Sequence, residues 1–516
     1  MRRFLRYRFP VLLLLLLQFL LLLLLWVHSC RFWWIRAGLR LFGILAALRI
    51  FCNPQNNTYA KPLILLILLL PELGGFWYPV LHPRRHKKES HTPGLRRFSG
   101  KKQAHTGLSP VPENAAFQEP VTEEKILKNA VSACPRSEKL MTFLQRRAGF
   151  PVFAEEETCF FPDADAMRDA LLSDLSTAEH SVFLEFFILE DGVFWDSVKS
   201  VLLERAAAGV RVHLIYDDFG CFLSFSGQDA ALLRSAGIHC VSFRPFCPNL
   251  SFLQNVRDHR KLIVIDERIA YTGGINLTDE YLGISGRFCD WKDSAVRISG
   301  NAVGSFAKMF RHMWEQLTGE IPVPCSCKAS TPSTAHSWLQ PFASSPSMRI
   351  AVWETLFLHL AEEAQTRLWI ATPYLTASDE VFSALRRAAE SGVDVRLLLP
   401  GEADKPLVQF TSRSYYALLL RSGIRIYEYG FGFLHQKLFL CDEEVAVVGS
   451  ANLDFRSLSF QEECGVCLYR SGEIPRMEED YLRSLSLSRQ IPEVPDKNSL
   501  LRRMLSGLCR LIAPLM

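Results

Sequence analysis

The chain has 516 residues, enough for two domains or one large pseudo-symmetric body. Its 58 basic and 54 acidic side chains leave a net charge of +4, so no global field points to nucleic acid. Hydrophobic residues make up 49% of the chain, but the long apolar runs concentrate ahead of residue 82.

Residues 1–82 read as a membrane anchor. After a basic head (Arg2, Arg3, Arg6, Arg8), a leucine run broken only by Gln18 predicts a span over about 10–27. A second span is expected over 62–81, where Glu72 is the one charge. The middle segment, 32–51, is apolar but carries Arg36, Arg40 and Arg49, which suits an interfacial helix, a re-entrant piece or a third span. Arg84, Arg85, Lys87 and Lys88 follow the last run, so the positive-inside rule puts both ends in the cytoplasm. Two crossings satisfy that rule. The expectation is a multi-pass protein of the cell membrane with its catalytic part in the cytoplasm. A cleaved signal peptide is the competing reading of the first run, but no small-x-small site follows it.

Residues 83–122, rich in Lys, Arg, His, Ser, Pro and Gly, predict a flexible basic linker that either sets topology or rests on anionic headgroups. Two halves follow, 123–321 and 338–516, separated by a Pro/Ser/Thr-rich joint at 322–337. They repeat one order of elements. In the first, a strand over His180–Leu189 leads to a helix over Phe194–Ala208 and a strand over Gly209–Tyr216. In the second, the strand Arg367–Tyr374, the helix Asp379–Ala389 and the strand Gly392–Leu399 match it. The expected fold class is α/β, with each half a β-α-β crossover on a mostly parallel sheet covered on both faces.

Fourteen cysteines are scattered without paired C-x-x-C spacing, which excludes a structural zinc site of the usual kind. Cys325 and Cys327 form a lone C-x-C in the joint and read as reduced thiols.

The same constellation occurs once in each half. His259-Arg260-Lys261 precedes Asp266, then Gly273, Gly274 and Asn276. His435-Gln436-Lys437 precedes Asp442, then Gly449, Ser450 and Asn452. In an extended chain, side chains two apart share a side, so each His and Lys point together. An imidazole can attack phosphorus or pass protons near neutral pH. An ammonium holds a phosphate oxygen as a point charge, and an asparagine donates to another. Each aspartate follows its strand, where it either fixes the hairpin or accepts a hydrogen bond from the partner histidine. One H-x-K is weak; two with matching Asp, Gly and Asn offsets suggest a phosphate-handling site built from two halves.

These motifs resemble those of the phospholipase D superfamily. The stretches Asn255–Asp266, Gly273–Tyr281, Trp291–Asp293, Thr372–Leu375, Gly432–His435, Asn452–Ser457 and Glu463-Cys464 are similar to bacterial cardiolipin synthases, from about Phe150 to the C-terminus. The family usually has an aromatic residue where Glu462 stands; its glutamate is carried onto Glu463. The resemblance implies two pseudo-symmetric α/β/α repeats forming one catalytic unit. It implies phosphatidyl transfer between two phosphatidylglycerols, through a phosphohistidine, with no metal or other cofactor. His259, Lys261, Asp266, His435, Lys437 and Asp442 form the implied catalytic set. His259 is the implied nucleophile and His435 the acid/base. Asn276 and Asn452 would complete the oxyanion cradle, and Glu463 and Asp293 would orient the histidines beside the substrate. Membrane phospholipids are the expected partners. A phospholipase D hydrolase, a nuclease and a non-catalytic binding protein are the alternatives, and the anchor and near-neutral charge argue against the nuclease. Glu185, Asp217, Asp218 and Tyr374, at or near strand ends, are read as loop structure or substrate contacts. Arg456 and Ser457 are read as local structure or headgroup contacts, Tyr415 and Tyr416 as core, and 500–516 as an amphipathic or a packed terminal helix.

Overall fold

The computed structural model describes residues 20, 33–52, 64–65, 67–68, 120–245, 256–284, 286–288, 290–324, 336–492 and 500–515. Contacts divide the chain into two units: 1–109 with 246–256 and 515, and 110–245 with 257–514 and 516. In the first unit, Trp33–Phe51 forms a helix, and its Ala47 and Ile50 pack with Ile67. The two spans expected over 10–27 and 62–81 fall almost wholly outside the described residues. Among the described residues no helix is long and apolar enough to cross a membrane. Residues 83–119 of the expected linker 83–122 and the C-x-C pair also lie outside; the linker's last residues, 120–122, instead open a helix, Pro120–Ala133.

The second unit holds two sheets. The first takes strands β1 (Glu157–Phe161), β2 (Ser181–Phe186), β3 (Arg211–Asp217), β4 (His239–Phe243), β5 (Lys261–Ile265), β6 (Ile269–Gly273) and β7 (Ala295–Ser299) in the order β1-β7-β6-β5-β2-β3-β4. The second takes β8 (Trp338–Ser344), β9 (Arg367–Ala371), β10 (Asp394–Pro400), β11 (Arg425–Tyr429), β12 (Leu438–Cys441), β13 (Val445–Gly449), β14 (Gln461–Tyr469) and β15 (Ser488–Gln490) in the order β8-β14-β13-β12-β9-β10-β11-β15. Six consecutive strands correspond: β7-β6-β5-β2-β3-β4 in one, β14-β13-β12-β9-β10-β11 in the other. Phe153–Ala154 adds to the outer edge of β8, so the chain before β1 belongs to the second sheet.

The expected crossovers are present. Helix α1 (Val193–Ala207) joins parallel β2 and β3, and helix α4 (Asp379–Glu390) joins parallel β9 and β10. The sheets are nevertheless mixed rather than mostly parallel. From β5 to β7, and from β12 to β14, neighbours run antiparallel. The reason is local: β5–β6 and β12–β13 are joined by three-residue loops, and a connection that short can only reverse the chain. Each loop opens on the motif aspartate, at φ 50° for Asp266 and 51° for Asp442, a left-handed conformation that Asp tolerates.

Alternation along β2 sorts its side chains between two cores. Phe183 faces helix α2 (Val303–Thr318) and stacks on Phe310 with ring centroids 4.7 Å apart. Val182, Leu184 and Phe186 face the opposite way, toward α1. Helix α2 presents Phe306, Phe310, Met313 and Trp314 at helical spacing to a core it shares with β8 and helix α3 (Val352–Glu363). That continuous core holds the two sheets in one body. Tyr415 and Tyr416 are core, as expected.

Candidate active site

Each motif histidine sits just outside its strand and is tied to the other half. Arg257-Asp258 pairs in parallel with Gln461-Glu462 at the start of β14, and the His259 N–H donates to the Glu462 carbonyl at 2.9 Å. In mirror fashion, Phe433-Leu434 pairs in parallel with Trp291-Lys292, and the His435 N–H donates to the Lys292 carbonyl at 2.8 Å. These short ladders end where the carboxylates begin. Glu463 Oε1 lies 3.0 Å from His259 Nδ1, and Asp293 Oδ2 lies 2.7 Å from His435 Nδ1. The carboxylates therefore cross over: each half supplies a histidine to the other half's acid.

The two sides differ in detail. Gly274 is where the first motif approaches Asp293; a Cβ there would collide with that carboxylate. At the matching position Ser450 keeps its hydroxyl, which donates to the longer Glu463. His435 Nδ1 has further neighbours, Lys437 Nζ at 2.6 Å and the Tyr281 hydroxyl at 3.2 Å. An Nδ1–H donates to Asp293, whereas a bare Nδ1 accepts from Lys437 or Tyr281; one nitrogen serves one of these at a time. Tyr281 also accepts from Asn276 Nδ2 at 2.9 Å. Tyr281 was not singled out by sequence reasoning; its only signal was its place five residues after Asn276 in the quoted stretch.

Both lysines are buried beside their histidines. Lys261 Nζ donates to the His259 carbonyl at 2.6 Å and sits 5.3 Å from the centre of the Phe187 ring, which also meets His259 edge-on at 4.9 Å. Lys437 Nζ reaches Asp293 at 3.3 Å and the His435 carbonyl. Asn276 Oδ1 accepts from the Ile188 N–H at 3.3 Å. Asn452 is buried with its Oδ1 unpaired.

Burial governs the charge of the cluster. Desolvation, followed by the two lysine ammoniums, holds both imidazoles well below the ordinary histidine value. Desolvation also pulls Lys261 down to about 7, against the attraction of Glu463, and Lys437 to about 8, against Asp293. It pushes Glu463 up to about 7, and Asp293 upward, despite the lysines beside them. The cluster is thus poised to neutralise itself. A bound anion would reverse each lysine shift by Coulomb attraction.

The motif aspartates do other work. Asp266 accepts from the N–H groups of Glu179 (2.8 Å), His180 (2.7 Å) and Ser181 (2.8 Å), ahead of and into β2. Asp442 accepts from those of Gln365 (3.2 Å), Thr366 (2.8 Å) and Arg367 (3.1 Å), ahead of and into β9. Each carboxylate fastens a hairpin loop to its crossover strand, the first of the two expected roles.

Behind His259 lies a buried ionic cluster. Arg260 bonds Glu462 at 3.0 Å and Glu185 at 3.3 Å. Asp217 accepts from the Phe219 and Gly220 N–H groups, both at 2.9 Å, and from Asp258 N at 3.0 Å, so it shapes the strand end. Tyr374 bonds Asp404 and Lys405 rather than the motif residues. Ser457 is buried and bonds Gln461 at 3.1 Å. Among the described residues no group of three or more His, Cys, Asp or Glu side chains is arranged to hold a metal ion.

A family model described as the cardiolipin synthase, PLD-like domain matches residues 357–484. A cardiolipin synthase from Alkalihalophilus pseudofirmus is 32% identical over 478 residues, 92% of this chain and 92% of that protein. Cardiolipin synthase 2 from Bacillus cereus is 34% identical over 402 residues, 76% of each chain. The crystal structure of phosphatidylserine synthase from Haemophilus influenzae Rd KW20 matches with a TM-score of 0.56 at 12% identity, covering 73% of this chain and 96% of that one. At that identity the likeness concerns the fold.

Proposed function

Because the chain belongs to the cardiolipin synthase family, we infer that it is a phosphatidyltransferase that joins two phosphatidylglycerols into cardiolipin and glycerol through a phosphohistidine. The observation that carries this reading is the crossed pair of His–carboxylate contacts, made at Nδ1 on both rings. Engagement of Nδ1 fixes the ring and leaves Nε2 as the nitrogen that meets substrate.

His259 is the nucleophile: burial and the lysines keep it neutral, and Glu463 stabilises the positive ring that forms when Nε2 bonds phosphorus. As that bond forms, the P–O bond to glycerol breaks, and His435 gives its proton to the departing oxygen. His435 then takes the proton of the second phosphatidylglycerol's hydroxyl, whose oxygen attacks phosphorus and releases His259. Lys261, Lys437, Asn276 and Asn452 hold the non-bridging oxygens. A phosphodiester entering the pocket offsets the two ammoniums that hold the imidazoles down, so substrate itself favours the protonated His435 that the first step needs. Asp266 and Asp442 are positioning residues.

The halves 123–321 and 338–516, joined by 322–337, act as one catalytic unit. The apolar runs at 10–27 and 62–81 anchor it to the cell membrane with the site in the cytoplasm. The support for that is their length, their composition and the basic residues that flank them.

The test is a rapid acid quench with phosphatidylglycerol labelled in its phosphate, followed by peptide mapping and lipid analysis. Label on the His259 peptide and cardiolipin as product are expected. Label on neither histidine, or phosphatidic acid as the sole product, would overturn the scheme.

A further inference from the structure

Helix α6 (Leu500–Ile512) is the most amphipathic helix of the described chain. Cys509 and Ala513, one turn apart, are buried, and α6 packs against helix α5 (Pro406–Ser414). Met504 (65% exposed), Leu505 (46%) and Leu508 (49%) adjoin one another at helical spacing and face outward. Leu407 of α5 and Leu418, shortly after it, add exposed apolar surface. A soluble helix of this kind would bury that stripe or replace it.

The same pair of helices reaches the candidate site. Lys405 caps α5, and its ammonium lies 3.0 Å from the Tyr374 hydroxyl. Its charge is felt by both motif histidines. The Leu375 N–H donates to Ser412 Oγ at 3.2 Å, and Gln409 Nε2 donates to the Gly401 carbonyl at 3.0 Å, so α5 is fastened to the strand ends from which the site is built.

We propose that α6, with the adjoining end of α5, is a membrane-docking surface that lies on an anionic bilayer and brings the mouth of the site to the headgroups. The proposal rests on the phosphatidylglycerol reading above for its lipid. Charge selects the occupant. The helix contains Arg502, Arg503 and Arg510 and no acidic residue, and Arg510 lies over the Tyr415 ring at 5.9 Å. A second copy of this chain would set like charges face to face, whereas an anionic lipid surface complements them and accepts the apolar side chains.

The test uses the full chain reconstituted in phosphatidylglycerol/phosphatidylcholine vesicles. Replacing Leu508 with p-benzoylphenylalanine and irradiating should give lipid adducts, read by mass spectrometry. Adducts only to another copy of the chain, or no lipid adduct, would overturn the proposal. Met504→Gln, Leu505→Gln and Leu508→Gln together, all at exposed positions, should raise the half-saturating surface fraction of phosphatidylglycerol at least about fivefold. The rate on detergent-dispersed substrate at saturation should stay within about twofold, since the site is untouched. An unchanged dependence on surface lipid would also overturn it. Cross-linking needs no turnover: lipid adducts from p-benzoylphenylalanine at position 508, together with no cardiolipin from the wild-type chain, would sink the functional reading and support the docking surface.

Discussion

His259 Nδ1 and Glu463 Oε1 are 3.0 Å apart across 204 residues of chain. The contact joins the first half's motif to the second half's β14, and His435 with Asp293 repeats it in the opposite sense at 2.7 Å. A half alone therefore has a histidine without its acid.

Glu463→Gln and Asp293→Asn should each lower kcat by about 10² to 10⁴ while the fold survives, because the ring loses its stabilising anion but keeps a hydrogen-bond partner. Cardiolipin formation and thermal melting of each variant check this. Wild-type turnover in Glu463→Gln would remove Glu463 from the mechanism.

Activity should fall at both ends of the pH range. On the acid side activity falls first as Glu463, raised to about 7, gains a proton and the His259 ring loses its stabilising anion. It falls again at lower pH as His259 itself, held below the ordinary histidine value of about 6.5, is protonated. On the alkaline side the cradle is lost as Lys261, at about 7, and Lys437, at about 8, shed their charge. A kcat/KM profile reads these groups in the free enzyme. The alkaline limb of kcat should lie higher, because bound phosphodiester restores the lysine charge. An alkaline limb at the same pH in both profiles would contradict that coupling.

The repeated H-x-K motifs and both crossover units were legible because they are local: alternation and helical spacing survive in any context. The antiparallel half of each sheet was misread because continuous apolar strands say nothing of direction. The informative signal was the three-residue loops opened by Asp266 and Asp442, since so short a link forces reversal. The crossed acids could not be found by spacing at all. Glu463 and Asp293 were reached through family resemblance, because a contact spanning 204 residues leaves no periodic trace. Tyr281 was missed for the same reason: what makes it matter is His435, in the other half.

Asp442→Ala should destabilise the protein by about 2–4 kcal/mol, because it orphans several backbone amides at the start of β9. Burial raises the Asp442 pKa, but the amide hydrogen bonds win and its carboxyl titrates below the ordinary range. A folded-state pKa below the unfolded value means the stabilisation is full above the unfolded pKa and is lost as pH falls through the folded one. Urea unfolding of Asp442→Asn should therefore show a flatter acid limb than wild type. An unchanged acid limb would show that those bonds do not depend on the charge.

Arg260 and Glu462 provide the sharpest test of the ionic cluster behind His259. Glu462 meets Arg260 at 3.0 Å, with Glu185 on the same guanidinium at 3.3 Å. All three side chains are buried. Arg260→Met strands two buried carboxylates and should cost about 3–5 kcal/mol. Glu462→Gln leaves Arg260 its Glu185 partner and should cost less. In a double-mutant cycle the pair should show a coupling of at least about 1 kcal/mol. Glu462→Gln should leave the alkaline and acid limbs of kcat/KM where they are, because His259 is held by Glu463 rather than by its neighbour. A shifted acid limb would instead make Glu462 part of the acid that serves His259.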